Sequence, residues 1–84
     1  MASHAYLQAV ISEYEEEIAA GFETNLDAKS ALWRAAVSLY FMGGEDKIDQ
    51  LTDIAVSSGI RPYGISATLA SARAKAASQR NDSL

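Results

Sequence analysis

The side chains that could do chemistry in this sequence are few and scattered. Its 84 residues hold no cysteine and a single histidine, His4. A metal site needs several convergent ligands, and a nucleophilic centre needs a nucleophile beside its base. The phosphate-binding patterns GxGxxG and GxxxxGK[ST] do not occur either. The sequence therefore predicts a protein that is not an enzyme and that uses no metal, no cofactor and no small-molecule substrate.

Four glutamates form an acidic cluster early in the chain: Glu13, Glu15, Glu16 and Glu17. A site for a hard cation needs oxygen ligands from several elements of structure, and one helix does not supply them. Charge runs on a helix are usually solvated. The cluster predicts a water-facing surface, with a partner-binding or phosphate-mimicking surface as the open alternative.

Charge is distributed unevenly along the chain, whose net charge is −4. Residues 59–84 hold four basic residues against one acidic residue, a local charge of +3. A cationic segment can meet a phosphate backbone locally even when the field of the whole molecule opposes it. The lack of cysteine and of a signal-peptide pattern predicts a cytoplasmic protein. No membrane partner is expected, because the longest uncharged apolar run, residues 35–42, is far shorter than the roughly 20 residues that a bilayer requires.

The spacing of apolar residues predicts helices. In the first segment they recur at i, i+4, i+7 and i+11, which marks one helix face: Leu7, Ile11, Tyr14 and Ile18. We expect this helix to run from about Ser3, as its N-cap, to about Ala20, with Gly21 as the stop.

A second helix is predicted after a capping box formed by Thr24 and Asp27. It should run to about Met42 and end at the pair Gly43 and Gly44. Apolar residues cover most of its surface, so it should be the central helix.

A third helix is expected to start near Glu45 or Asp46, whose negative charges suit a helix N-terminus. It should end at Ser58, with Gly59 as a left-handed residue after the cap and Ile60 in the accompanying hydrophobic contact.

The fourth helix should begin at Pro62, the only proline, because proline fits the first turn of a helix. Its apolar pattern ends at about Ser78, and residues 79–84 are expected to form a frayed tail. No segment alternates as a half-buried strand does. The predicted fold class is all-α: a single compact domain of four helices over residues 1–78, with a helix-turn-helix-like hairpin at its C-terminal end.

A second apolar stripe on the predicted central helix consists of Trp33, Val37 and Phe41, at i, i+4 and i+8. A small monomer has little surface with which to cover it. An uncovered apolar patch marks an interface, so the stripe predicts a protein partner or a homo-oligomer.

The segment from Leu51 to Lys75 fits a helix-turn-helix pattern. That pattern needs a small residue, a turn glycine and apolar anchors, which are present as Ala55, Gly59, Ile60, Ile65 and Leu69. The start of the second helix would enter a major groove. Nearest the bases would then lie Arg61, Tyr63, Ser66 and Ala67. Nearer the backbone would lie Arg73 and Lys75.

A longer stretch, SALWRAAVSLYFMGG followed by IAVSSGIRPYGISATLASARAKA, resembles the helical C-terminal segment of phage- and plasmid-type replication primases. The first part matches at Ala31, Leu32, Arg34, Ala35, Ala36 and Leu39. The second part matches at Ala55, Gly59, Ile60, Thr68, Leu69 and Ser71. The likeness covers residues 25–77, but it lacks the acidic residue that the family has early in the last helix. It implies a helical fold and an association with replication or nucleic acid, and it does not imply primase activity.

Two functions follow as expectations. The first is a non-catalytic helical module associated with nucleic acid, of phage or mobile-element type, binding through Arg61, Tyr63, Ser66, Arg73 and Lys75. The alternative is an acidic interaction module, an adaptor or inhibitor, that self-associates or docks through the aromatic face of the second helix.

Overall fold

The computed structural model describes residues 4–19 and 25–82, and over these ranges the protein is an all-α domain. Its helices are α1 (His4–Ala19), α2 (Asn25–Phe41), α3 (Ile48–Ser57) and α4 (Pro62–Asp82). A short 3-10 turn, Glu45–Lys47, precedes α3. No strand occurs in these ranges, and none of the helices is long and apolar enough to cross a membrane. The predicted fold class is confirmed.

Helix α2 lies at the centre of the domain and packs most extensively on α4. Its residues Leu32, Ala36 and Leu39 are fully buried. The other helices contribute to one core with Leu7, Ile11, Tyr14, Leu51, Ala55, Ile65, Ala72 and Ala76. The predicted inner stripe of α1 is buried as far as Tyr14, with Ile18 partly buried at its end. The prediction that α2 is the central helix, made from the apolar residues over most of its surface, is therefore confirmed.

Helix α4 crosses α2 and runs in the same general direction. At one end the Lys29 side chain lies beside Gly64. Midway, the Trp33 indole N–H donates to the Ser71 hydroxyl at 3.1 Å. At the other end, α4 reaches the last residues of α2. This arrangement places the start of α4 near the start of α2, away from the carboxyl end of α2.

Two glycines end helices as predicted. After α3, Gly59 has a φ of +92°, its N–H donates to the Val56 carbonyl at 3.0 Å, and the Ile60 N–H donates to the Ala55 carbonyl at 3.2 Å. These paired bonds satisfy carbonyls that the helix leaves without partners. Gly43 has a φ of +75° and ends α2 in the same way. Ile60 is buried, as such a cap requires.

Four predicted boundaries differ from the structure, the first being the end of α2, at Phe41 and not at Met42. The third helix begins as a 3-10 turn because the Lys47 N–H donates to the Gly44 carbonyl at 2.9 Å, three residues back. Helix α3 ends at Ser57, one residue earlier than expected. Helix α4 continues beyond Ser78 to Asp82, so the prediction of a frayed tail is wrong for residues 79–82. The expected caps and stops at Ser3, Ala20, Gly21 and Thr24 lie outside the described residues, as do residues 83 and 84.

The extension of α4 has a physical cause in Arg80. Its Nε donates to the Phe41 carbonyl at 3.0 Å, and its Nη2 donates to the Tyr40 carbonyl at 2.8 Å. These are carbonyls at the end of α2, where a cation is favoured. The last turns of α4 are therefore tied to a distant part of the chain.

Candidate nucleic-acid interface

The first turn of α4 projects from the domain. Arg61, Pro62 and Tyr63 are exposed, and the Tyr63 side chain is 87% exposed. Buried residues on either side, Ile60 and Ile65, hold the turn in place. Because a helix N-terminus carries partial positive charge, this turn presents a cation, an aromatic ring and a favourable dipole to the solvent.

Three of the predicted contact residues share one face of α4. Tyr63, Ser66 and Arg73 are spaced at i, i+3 and i+10, which places them on one side of a helix. Ser66 and Arg73 line a shallow groove of about 680 Å³. The groove also includes Tyr40 of α2 and the small side chains of Ala70, Ala74 and Ala77. Ser66, predicted to lie near the bases, and Arg73, predicted to lie near the backbone, thus line the same groove.

Arg73 lies over the end of α2. Its guanidinium carbon is 5.8 Å from the centre of the Tyr40 ring, and its Nη2 is 3.7 Å from Glu45 Oε1. The Arg73 side chain is 68% exposed, so this long ion pair contributes little to stability and can give way to a phosphate. Burial raises the pKa of Tyr40; Arg73 opposes that shift and Glu45 adds to it.

Lys75 lies on a different flank of α4. It follows Ser71 by four residues, and Ser71 faces α2, where it accepts the hydrogen bond of Trp33. Lys75 is exposed, but it does not line the groove that contains Arg73. Ala67 is exposed at the start of α4. The structure therefore separates Lys75 from the other predicted contact residues.

Sequence reasoning missed Lys29. A Cβ on Gly64 would lie 2.9 Å from Lys29 Cε and 3.2 Å from Lys29 Nζ. The missing side chain at Gly64 therefore lets this ammonium group lie against the start of α4. The glycine in the first turn of α4 indicated that another group could approach the helix closely there, but the sequence did not indicate that this group is Lys29.

The predicted aromatic interface is largely covered by the domain itself. Val37 belongs to the core with 9% exposure. Trp33 is partly buried against the core and bonded to Ser71. Phe41 is the member of this stripe that remains exposed, at 37%. The expectation of an uncovered stripe is wrong for Trp33 and Val37, because Val37 is buried in the core and Trp33 packs against the core and bonds to Ser71 of α4.

The acidic face of α1 lies largely in water. Glu13, Glu15 and Glu16 are exposed. Glu17 is half-buried and accepts a 2.9 Å hydrogen bond from Arg34 Nη2. No group of three or more acidic, histidine or cysteine side chains among the described residues is arranged to hold a metal ion.

Comparison of the chain with models of protein families, with curated proteins and with solved structures gives no match. The function must therefore be argued from the geometry of the chain.

Proposed function

We propose that this protein is a nucleic-acid-associated helical module that binds through the exposed face of α4. The observation that carries the proposal is the Tyr63 ring, 87% exposed beside Arg61 at the projecting start of α4. A ring exposed in this way is available for stacking, and nucleobases stack on such rings.

The charges around this ring support the same function. Arg61 precedes it, the Lys29 side chain lies beside Gly64, and Arg73 continues the face. Cations of this kind bind phosphates, while an aromatic ring adds stacking on a base. The groove beyond Ser66 is lined by small side chains, so a sugar–phosphate backbone can approach the helix closely there.

Fluorescence anisotropy with short labelled single- and double-stranded oligonucleotides tests the proposal. We expect binding at low salt that weakens steeply between about 50 and 200 mM salt, because phosphate contacts release counterions. Arg61→Gln and Arg73→Gln should each lower the magnitude of the salt slope by about 1. Tyr63→Ala should weaken binding of the single strand more than of the duplex, because unpaired bases are free to stack.

Two substitutions serve as matched controls. Arg34→Gln removes the same charge on the α1 side of the domain, where Arg34 pairs with Glu17. Lys75→Gln removes one positive charge from the other flank of α4. Both should change the affinity less than Arg73→Gln. No binding at low salt, or equal losses in all the charge variants, would contradict the proposed face.

Docking on a protein remains the second candidate, and one observation favours it. Phe41 is 37% exposed at the end of α2, next to Tyr40 in the groove of α4. Sedimentation over a concentration series tests self-association through this end. A dimer that Phe41→Ser dissociates, together with no retention of oligonucleotides, would replace the nucleic-acid function with this one.

A further inference from the structure

A cavity between α1 and α2 lies apart from the face proposed for nucleic acid. Its volume is about 160 Å³, similar to the roughly 150 Å³ of an engineered cavity that admits benzene. Its lining is mostly polar, with Glu13, Glu17, Arg34 and Ser38 beside the apolar groups of Val10, Ala31 and Ala35. By that comparison the space fits a group about the size of a benzene ring.

Tyr14 also lines this cavity, and its hydroxyl is a buried polar group. It is 2% exposed, and its hydroxyl has no hydrogen-bond partner within the described part of the chain. Burying a hydroxyl without a partner is costly, and each such group in a native fold calls for an explanation. Burial, with Glu17 as the smaller cause, raises the pKa of Tyr14 to about 12. The hydroxyl oxygen is enclosed by the protein, so Tyr14 takes part in the cavity wall through its other side-chain atoms.

The charges at the opening favour a cation. Arg34 Nη2 lies 2.9 Å from Glu17 Oε2, so these two charges offset each other. The Glu13 carboxylate adds a further negative charge to the same opening. Tyr6 also lines the cavity, and aromatic faces attract cations. An anion would have to compete with Glu17 for Arg34 and would meet Glu13.

We propose that this cavity binds a small organic ammonium ion with a short apolar body. The ammonium group lies at the opening between Glu13 and Glu17, and the apolar body contacts Val10, Ala31, Ala35 and Tyr14. A ligand of this size binds in the millimolar range, because few atoms can contribute.

Titration of the isotope-labelled protein with benzylamine, followed by NMR, tests the proposal. We expect saturable shifts at the methyl groups of Val10, Ala31 and Ala35, and a rise in Tm, because a ligand that binds only the folded state stabilises it. Benzoate and benzyl alcohol, of similar shape, should bind at least about tenfold more weakly, since each lacks the charge that Glu13 attracts. Shifts that do not saturate, or that benzoate produces equally, would overturn the proposal.

Two glutamates on α1 provide a matched comparison. Glu13→Gln should weaken benzylamine binding by about fivefold or more, because it removes the unbalanced carboxylate. Glu16→Gln makes the same change in net charge, but Glu16 does not line the cavity and should leave the affinity unchanged. Equal losses of benzylamine affinity in the two glutamate variants would mean that the net charge of the protein attracts the ligand, and this would refute the site. That conclusion would hold whatever the outcome of the oligonucleotide experiments.

Discussion

Tyr14 is a core residue that carries a polar group. Its ring is one of the largest fully buried side chains, and its hydroxyl has no partner among the described residues. An unpaired buried hydroxyl costs about 1–3 kcal/mol. The contribution of Tyr14 to folding therefore comes from packing of the ring, and the hydroxyl opposes it.

Removing that hydroxyl tests this account. We expect Tyr14→Phe to leave the free energy of unfolding at pH 7 unchanged or to raise it by up to about 1 kcal/mol, because the desolvation cost disappears. Urea denaturation measures the difference. Tyr63→Phe, at an exposed site, should stay within about 0.5 kcal/mol of wild type. A loss above about 1 kcal/mol in Tyr14→Phe would mean that the hydroxyl has a partner.

The same residue makes stability depend on alkaline pH. The pKa of Tyr14 is raised from 10.0 to about 12 in the folded state, so the unfolded chain loses this proton first. This group therefore leaves the free energy of unfolding unchanged below pH 10. As the pH rises from 10 toward 12, it lowers that free energy by about 1.4 kcal/mol per pH unit. We expect urea midpoints of wild type to fall more steeply over this range than those of Tyr14→Phe. Parallel curves for the two proteins would contradict the raised pKa.

Exposure at the candidate interface could be predicted where it depends on neighbouring residues. Arg61 and Tyr63 project because Ile60 and Ile65 beside them are buried, and that contrast is visible in the sequence. The separation of Arg73 from Lys75 could not be predicted in the same way. It depends on which flank of α4 faces α2, and therefore on contacts between residues about 40 positions apart, such as Trp33 with Ser71.

At the scale of elements, the turn between α3 and α4 depends on the backbone conformation of Gly59. Its φ is +92°, and a Cβ there would meet no atom within 4 Å. We expect Gly59→Ala to lower the free energy of unfolding by about 1 kcal/mol through backbone strain alone. Gly64→Ala is the matched control, because it lies within α4 and displaces only the flexible end of Lys29. It should be neutral or stabilising by up to about 1 kcal/mol, and equal losses in both variants would contradict this account.

Arg80 joins the end of α4 to the end of α2. Replacing it with glutamine removes its hydrogen bonds to the carbonyls of Tyr40 and Phe41. We expect a loss of about 1 kcal/mol in unfolding free energy, since charged donors form the stronger hydrogen bonds. Amide exchange should also become faster in the last turn of α4. Arg80→Lys keeps the charge but not the forked donor geometry, so it should recover only part of the loss. Exchange in residues 78–82 that is unchanged in Arg80→Gln would show that the last turn is stable without this contact.

Helix ends could be predicted where they depend on neighbouring residues, but not where they depend on residues far away in the sequence. Gly43, Gly59 and Pro62 were predicted correctly because capping needs only the residues beside it. The end of α4 at Ser78 was wrong because Arg80 finds its partners in residues 40 and 41. The covering of Trp33 and Val37 was missed for a similar reason. Apolar stripes indicate that a helix packs, but they do not indicate how many helices pack on it.

The whole molecule combines an acidic body with a cationic face. The net charge is −4, and Glu13, Glu15 and Glu16 lie exposed on α1, whereas Arg61 lies immediately before α4 and Arg73 lies on it. For a polyanionic ligand, the field of the body opposes approach while the local face attracts it. The acidic helix should therefore limit the rate of association with nucleic acid without changing the contacts in the complex.

Replacing Glu13, Glu15 and Glu16 together with glutamine tests whether the acidic helix affects only the rate of association. The net charge would change from −4 by three positive units. We expect the association rate with labelled oligonucleotides at low salt to rise by about tenfold, because long-range steering depends on the summed charge. The dissociation rate should change little, since none of the three residues lies on α4, and the gain should vanish at high salt, where charges beyond about 8–10 Å are screened. Stopped-flow fluorescence measures both rates. A gain that persists at high salt, or that appears mainly in the dissociation rate, would place the acidic helix in contact with the nucleic acid and would contradict binding through α4 alone.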